Sequence, residues 1–217
     1  MRRIKVSYFC FCYFCGGLKD ITLKIQHAAA QLFFRSGIKQ VSMDDLSRKL
    51  KISKKTLYHC FGNKNELVRH TVHQHFDYIE IQLDTISKLP ISAVARMVKA
   101  ASFAVEELSK VNPSMIQDLH KYHPEVHSEM VEMRQQAMKQ QTLENILDGR
   151  ENGYYRSDFD GDFISELFAH QIIHINEKWA HSNAKEAAKG VYDYTIYHLR
   201  GISTEKGITE LSTIEES

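Results

Sequence analysis

With 217 residues, 43% of them hydrophobic, the chain is long enough for one large or two modest domains, and disorder throughout is excluded. The net charge of +1 conceals an uneven distribution, because residues 18–70 hold 11 basic and 4 acidic residues whereas residues 71–217 hold 14 and 23. A basic block followed by an acidic remainder indicates that only the first part contacts a polyanion.

Residues 1–17 combine a basic start with an apolar run from Val6 to Cys15. The run is too short for a membrane span of about 20 residues. Its aromatic residues and cysteines are also unlike the aliphatic centre of a signal peptide, and no cleavage-site pattern follows. Cys10, Cys12 and Cys15 could act as soft metal ligands, but they lack a partner cluster. We expect an extension without a fixed role, and a membrane-targeted or exported helical protein is an alternative that rests on this segment alone.

The first periodic segment follows at Leu18. Apolar residues recur at helical spacing at Ile21, Ile25, Ala28, Ala29, Leu32 and Phe33. This spacing predicts a helix from about Lys19 to Ser36, and Gly37 is a natural residue to end it.

The next stretch, VSMDDLSRKLKI, predicts a short helix. Ser42 is a good N-cap, and Asp45 can reach back to the N–H groups that begin the helix at about Met43. Met43, Leu46 and Leu50 then share one buried face.

A second short helix begins after Ser53, which caps it. Only Leu57 and Phe61 have the spacing of a buried stripe, so the other positions point outward. Lys54 and Lys55 oppose the helix dipole by a few tenths of a kcal/mol, a penalty that an external anion would reverse. Asn63 and Glu66 form a further capping box, which places Lys64 in the first turn of the following helix.

Two short helices with cations at the start of the second are the geometry of a helix-turn-helix. The segment from about Ile21 to Leu67 resembles the DNA-binding domain of the TetR/AcrR family of bacterial one-component regulators. The resemblance implies three groups of contacts: with the DNA backbone by Ser42 and Met43, with base edges by Lys54, Lys55 and Thr56, and with phosphates by Tyr58, His59 and Lys64.

Two positions depart from the family pattern. Lys51 stands in the turn where Gly is common, so the turn either holds a left-handed residue with a side chain, at roughly 1 kcal/mol, or adopts another geometry. Cys60 stands where His is common before the final Phe, and it cannot supply a comparable phosphate contact.

Beyond residue 66 the prolines Pro90, Pro113 and Pro124 separate helical segments. We predict helices at about 63–87, 92–111, 114–122, 125–150, 160–181 and 184–202. No segment alternates as a strand. The predicted fold is all-α, with an extension at 1–17, a three-helix DNA-binding domain at 18–66 and a helical regulatory and dimerisation domain at 67–217.

The last two predicted helices carry more apolar surface than one core face needs. The stripe on the first consists of Phe163, Leu167, Gln171, His174 and Lys178. The stripe on the second consists of Ala184, Ala188, Val191, Thr195 and His198. Packing within one chain is the alternative, but the family resemblance implies that these helices form a four-helix interface with a second copy. We therefore predict a homodimer.

No motif in the chain indicates catalysis, since a phosphate-binding Gly-rich loop, a G-x-S-x-G elbow and an H-E-x-x-H pair are all missing from the sequence. His120, His123 and His127, or the pair His170 and His174, have spacings that could serve a metal ion. They lack an associated carboxylate or cysteine motif, so we expect satisfied or solvated histidines. We predict that the chain is not an enzyme and needs no cofactor or metal.

These observations and the family resemblance predict a cytoplasmic transcription regulator, with repression as its expected mode of action, that binds double-stranded DNA at a palindrome. By the family resemblance, a small-molecule effector in the C-terminal domain would release it. The residues expected to line an apolar pocket are Met97, Phe103, Met115, Met130, Met133 and Tyr154. The alternative is a constitutive DNA-binding or co-regulatory protein without a ligand.

Overall fold

The computed structural model describes residues 17–180 and 184–216, which form ten α-helices. The first four are α1 (Gly17–Ser36), α2 (Met43–Leu50), α3 (Lys54–Cys60) and α4 (Lys64–Ser87). The next three are α5 (Ala93–Ser109), α6 (Pro113–Tyr122) and α7 (Pro124–Glu151). The last three are α8 (Gly161–Ala180), α9 (Ala184–Ile202) and α10 (Glu205–Glu215). Within these ranges the β-type pairing is limited to an isolated bridge between Tyr155 and Ser203.

The all-α prediction is confirmed, and the helices from α1 to α9 begin and end within about two residues of the predicted limits. Helix α10 was not among the predicted helices. Thr204 caps this helix by accepting the N–H of Gly207, and Leu211 is buried beneath it. Ile208, Leu211 and Ile214 recur every three residues, a signal that could have found it.

One hydrophobic cluster holds the N-terminal helices together. Its fully buried members include Phe33 of α1, Leu46 of α2, Leu57 of α3 and Leu67 of α4. The cluster continues past the proposed domain limit at residue 66, because buried side chains of α4, α6 and α7 also join it. The helix-turn-helix therefore rests directly on the helices that follow it.

A second cluster forms between α5, α7, α8, α9 and α10. Here α7 packs along α8, and α9 lies against both α5 and α8. Gly149 of α7 admits the ring of Tyr155, since a Cβ at this position would lie 2.0 Å from a ring carbon. None of the helices in the described ranges is long and apolar enough to cross a membrane.

Residues 1–16 lie outside the described part of the chain. The predictions for the extension and its three cysteines therefore have no structural counterpart.

Candidate DNA-binding surface and effector cavity

The first helix of the helix-turn-helix begins at the predicted capping box. The hydroxyl of Ser42 accepts the N–H of Asp45 at 3.1 Å, and the Asp45 carboxylate accepts the N–H of Ser42 at 2.9 Å. Hydrogen bonds from Ser42 lower the pKa of the Asp45 carboxyl. The cap fixes the start of α2, and it leaves Ser42 exposed at the surface.

Met43, which is predicted to approach the DNA backbone, has its side chain in the core. Its side chain is only 7% exposed and belongs to the core cluster of the N-terminal helices. The apolar spacing that places Met43 on the inner face of α2 thus prevents its side chain from reaching DNA.

The turn between the two short helices takes the first of the two expected geometries. Lys51 has φ 53° and ψ 40°, and it is the one non-glycine residue with positive φ in the described ranges. Its N–H donates to the carbonyls at the end of α2. The left-handed conformation is therefore held by a lysine, with the strain that a Cβ brings.

The second helix, α3, presents its cations outward. Ser53 caps it by accepting the N–H of Thr56 at 3.0 Å, and Leu57 is fully buried behind it. The exposed side chains on the opposite side are those of Lys54, Lys55, Tyr58 and His59. Thr56 is half-buried, and its hydroxyl lies 2.8 Å from the Ser53 hydroxyl, so it is less available than the other predicted contacts.

The two lysines at the start of α3 differ in their surroundings. The ammonium of Lys54 lies 2.6 Å from a carboxylate oxygen of Asp44 on α2, with both side chains well exposed. Lys55 makes no ion pair with a residue that the structure describes. Asp44 was not singled out in the sequence, because its approach to Lys54 depends on how α2 and α3 cross.

Lys64 is less available to a phosphate than a fully exposed lysine would be. It is half-buried, and its ammonium donates to the carbonyl of Ile38 at 2.7 Å. Burial lowers the pKa of Lys64, while the nearby carboxylates of Asp118 and Asp45 oppose this shift. The ammonium has further donors, so it can still meet a phosphate at the start of α4. Its side chain also joins that helix to the segment after α1.

The helices from α4 onward line a cavity of about 110 Å³ that is partly open to solvent. Its walls come from α4, α5, α7, α8 and α9. Apolar side chains predominate, including Leu83, Met97, Met138, Phe168 and Ile172. Three alanines of α5 complete one wall: Ala100, Ala101 and Ala104.

Comparison with known proteins agrees with this arrangement. Residues 25–71 match the model of the family described as "Bacterial regulatory proteins, tetR family". Over 183 residues the chain is 21% identical to the HTH-type transcriptional repressor KstR2 of Mycobacterium tuberculosis, covering 83% of this chain and 91% of that protein. The chain belongs to the TetR family of bacterial transcriptional regulators.

Solved structures of other regulators share the fold of this TetR-family chain. A transcriptional regulator from Cytophaga hutchinsonii superposes with a TM-score of 0.75 at 16% identity, covering 84% of this chain and 98% of that chain. A TetR-family regulator from Pectobacterium atrosepticum gives a TM-score of 0.69 at 18% identity, covering 87% and 96%.

Of the six residues predicted to line the regulator's pocket, only Met97 lines this cavity. Met115 and Met130 pack in or against the N-terminal cluster, and Tyr154 lies under Lys206. Phe103 contacts Tyr78 instead, and Met133 is not among the lining residues either. These residues were predicted because large, flexible side chains often line apolar pockets. The cavity instead lies where the side chains are small, as at the three alanines of α5.

The predicted dimer stripe on α8 lies at the surface. Phe163 is 61% exposed, Leu167 is 47% exposed, His174 and Lys178 are exposed, and Gln171 is half-buried. These side chains are available to a second copy of the regulator.

The stripe predicted on α9 needs a correction. Ala188, Val191, Thr195 and His198 are all buried within their own chain. The side chain of Ala184 lies outside the described residues. Because α9 turns this face toward α5 and α8, the four buried residues cannot form a surface for a partner.

The histidines do not gather into a metal site in the described ranges, where no group of three His, Cys, Asp or Glu side chains could hold an ion. His120 and His127 face each other with ring centroids 5.1 Å apart. His123 bonds to Asn65 at 2.6 Å, and His170 bonds to Gln135 at 2.7 Å.

Proposed function

We propose that this TetR-family regulator is a repressor that binds a palindromic operator as a homodimer and is released when a small molecule fills the cavity. The observation that carries the proposal is the outward face of α3. Lys55, Tyr58 and His59 stand exposed there, while Leu57 fixes the helix from behind. A helix with this arrangement can enter the major groove and bring a cation to a guanine edge.

Operator selection tests the DNA-binding half of the proposal. A library of random duplexes is enriched on the protein, and the affinity of the selected operator is measured at fixed salt. We expect Lys55→Ala to weaken specific binding by about 1 to 3 kcal/mol if Lys55 reads a guanine. Lys99→Ala, which removes an exposed cation from α5, is the matched control. Equal affinities of the two variants would remove Lys55 from the site.

Dimerisation is proposed through the exposed stripe of α8. A single DNA-binding module buries only about 600 to 1,000 Å² of protein surface, too little for tight specific binding, so a second copy on the same palindrome is needed. Glutamate at Leu167 should place a charge in the contact and yield monomers that bind the operator far more weakly. Ile81→Glu, at a similarly exposed apolar position on α4, is the control. Light scattering that finds Leu167→Glu still dimeric would place the interface elsewhere.

The cavity favours a ligand-responsive repressor over a constitutive one, because its walls reach the helix that carries the DNA-binding unit. Gln141 of α7 donates to the Glu80 carboxylate of α4 at 3.1 Å. Nearer the DNA-binding helices, Arg69 of α4 pairs with Glu129 of α7. An effector that shifts α7 would therefore pull on α4 at two levels.

Release from the operator by roughly 100-fold needs a coupling free energy of about 2.7 kcal/mol, which one well-filled cavity can supply. The measurement is operator affinity with and without a compound that binds the cavity. Unchanged affinity with a saturated cavity would favour the constitutive alternative.

A further inference from the structure

The cavity carries one cation in its wall, and that cation is already neutralised. The guanidinium of Arg96 forms an ion pair with Asp148 and donates to the carbonyl of Ile91 at 2.6 Å. Its side chain is largely buried. An anionic ligand would have to displace Asp148, and no acidic residue lines the cavity to neutralise a cationic one.

Two further polar lining residues have their hydrogen bonds filled by the protein. The amide of Asn145 donates to the carbonyl of Ala93 at 3.0 Å and accepts the Tyr155 hydroxyl at 2.9 Å. The Thr195 hydroxyl donates to the carbonyl of Val191 at 2.8 Å. These groups form part of the wall, and their hydrogen bonds to the protein leave them little capacity to bind a ligand.

Thr142 and Gln141 of α7 are different. Thr142 is only 4% exposed and lines the cavity, yet its hydroxyl makes no hydrogen bond with a residue that the structure describes. Gln141 uses its amide N–H on Glu80 and keeps its carbonyl oxygen. A hydroxyl that faces the cavity without a hydrogen-bond partner in the wall is available to a ligand, so a ligand with a matching polar group gains a hydrogen bond there.

We infer that the cavity takes a neutral, mainly apolar small molecule with one carbonyl or hydroxyl group, which bonds to Thr142 beside Gln141. The apolar body lies against the alanines of α5 and against Phe168 and Ile172. A carbonyl oxygen accepts the Thr142 hydroxyl, and a ligand hydroxyl could also donate to Gln141. This inference rests on the proposed function in treating the cavity as the effector site.

Two matched pairs of probes test the charge preference. They are acetophenone with benzoate, and 2-hexanone with hexanoate, which suit a cavity of about 110 Å³, and each is titrated calorimetrically into the full chain without DNA. We expect the ketones to bind and the carboxylates to bind about tenfold more weakly or worse, because a buried charge would have no free partner. Carboxylates that bind as tightly as the ketones, or two ketones that fail to bind the folded chain, would overturn the inference.

A nearly isosteric variant tests the polar contact. Thr142→Val should weaken the binding of acetophenone by about fivefold and leave the affinity for benzene unchanged, since only the ketone uses the hydroxyl. Ala104→Phe fills the cavity and should abolish binding of both compounds, while an unchanged helical circular dichroism spectrum shows that the variant folds. Equal affinities of acetophenone for the wild type and Thr142→Val would refute the assigned contact.

The inference and the proposed function can fail separately. Ketones that bind with the expected preference but leave operator affinity unchanged would support the ligand class and contradict ligand-controlled release.

Discussion

In the helix-turn-helix, each short helix begins at a serine whose hydroxyl accepts the backbone N–H of the residue three positions later. Apolar side chains on the inner faces of these helices pack together in the N-terminal cluster. Around the cavity, the helices are long, and the side chains where they meet leave about 110 Å³ unfilled. Hydrogen bonds between residues that are close in the sequence fix the helix-turn-helix. The cavity instead depends on the relative orientation of five helices that are distant in the sequence. The proposed DNA-binding surface is thus fixed by local hydrogen bonds and packing, whereas the proposed effector site is formed around an unfilled space.

The largest test of this contrast concerns pH. His198 is buried beside Phe168, with ring centroids 4.5 Å apart, and burial lowers its pKa from 6.5 to about 4. Because the unfolded chain binds the proton more readily, the stability that neutral His198 maintains is present above pH 6.5 and is lost as the pH falls toward 4. Beside the N-terminal cluster, the half-buried His75 packs against Phe34 with ring centroids 4.5 Å apart, and burial lowers the pKa of His75 as well. The comparison of wild type with a His198 variant therefore isolates the contribution of the cavity region.

Urea unfolding of the wild type and His198→Phe at pH 7 and pH 4.5, at one protein concentration, measures this effect. We expect the wild type to lose about 2 kcal/mol more than the variant between the two pH values. Other groups titrate alike in both proteins, so an equal loss would show that His198 is not buried in its neutral form.

A matched pair of alanine substitutions compares packing in the two regions. Ala29→Val in α1 inserts two methyl groups where no space remains, so it should lower the free energy of unfolding by about 1 to 3 kcal/mol. Ala104→Val in α5 projects into the cavity and should change stability by less than about 0.5 kcal/mol. Chemical denaturation of both variants decides the comparison, which fails if the two losses are equal.

Replacing Lys64 tests whether one side chain serves both structure and DNA. Lys64→Ala should weaken binding to all sequences about equally and make the slope of log K against log salt shallower by about one unit. It should also cost about 1 kcal/mol of stability, because the bond to the Ile38 carbonyl is lost. Lys64→Met retains most of the aliphatic stem and serves as the control for packing. A loss of affinity confined to the operator would contradict a phosphate role.

The smallest expected change tests the backbone strain at Lys51 in the turn between α2 and α3. Lys51→Gly should raise the free energy of unfolding by about 0.5 to 1 kcal/mol, because glycine adopts the left-handed conformation without a Cβ clash. Lys51→Ala removes the charge but keeps the Cβ, and it should give no such gain. If both variants behaved alike, the charge of Lys51 and not its backbone would be responsible.

The sequence predicted the helix-turn-helix well because its signals are local. Ser42 and Ser53 cap the helices as expected, and the exposure of Lys55, Tyr58 and His59 follows from the buried positions of Leu57 and Phe61. The resemblance assigned Met43 to DNA, although its own spacing placed its side chain in the core, so only its main chain remains available for the predicted contact. Asp44 was missed because no local pattern relates it to Lys54.

The cavity could not be predicted from side-chain type. Met115 is suited to a pocket in size and chemistry, but it fills the core beneath the helix-turn-helix. The orientation of α9 could not be predicted either, since Ala188 and Val191 suit a dimer contact and an internal contact equally well. In both cases the answer depends on how distant helices are oriented, which helical spacing does not encode.

The helix α4 spans 24 residues, so it is a rod about 36 Å long. One end starts four residues after α3, which is the proposed recognition helix. The other end supplies Leu83 and Ile86 to the cavity wall. A tilt of about 5° at the cavity end would move the opposite end by about 3 Å. In the proposed dimer both rods would tilt, so the recognition helices could separate by up to about 6 Å, against a groove spacing of about 34 to 36 Å. The effector could then release the operator without deforming α3, because a rigid bar converts a small angle into a misfit with the DNA.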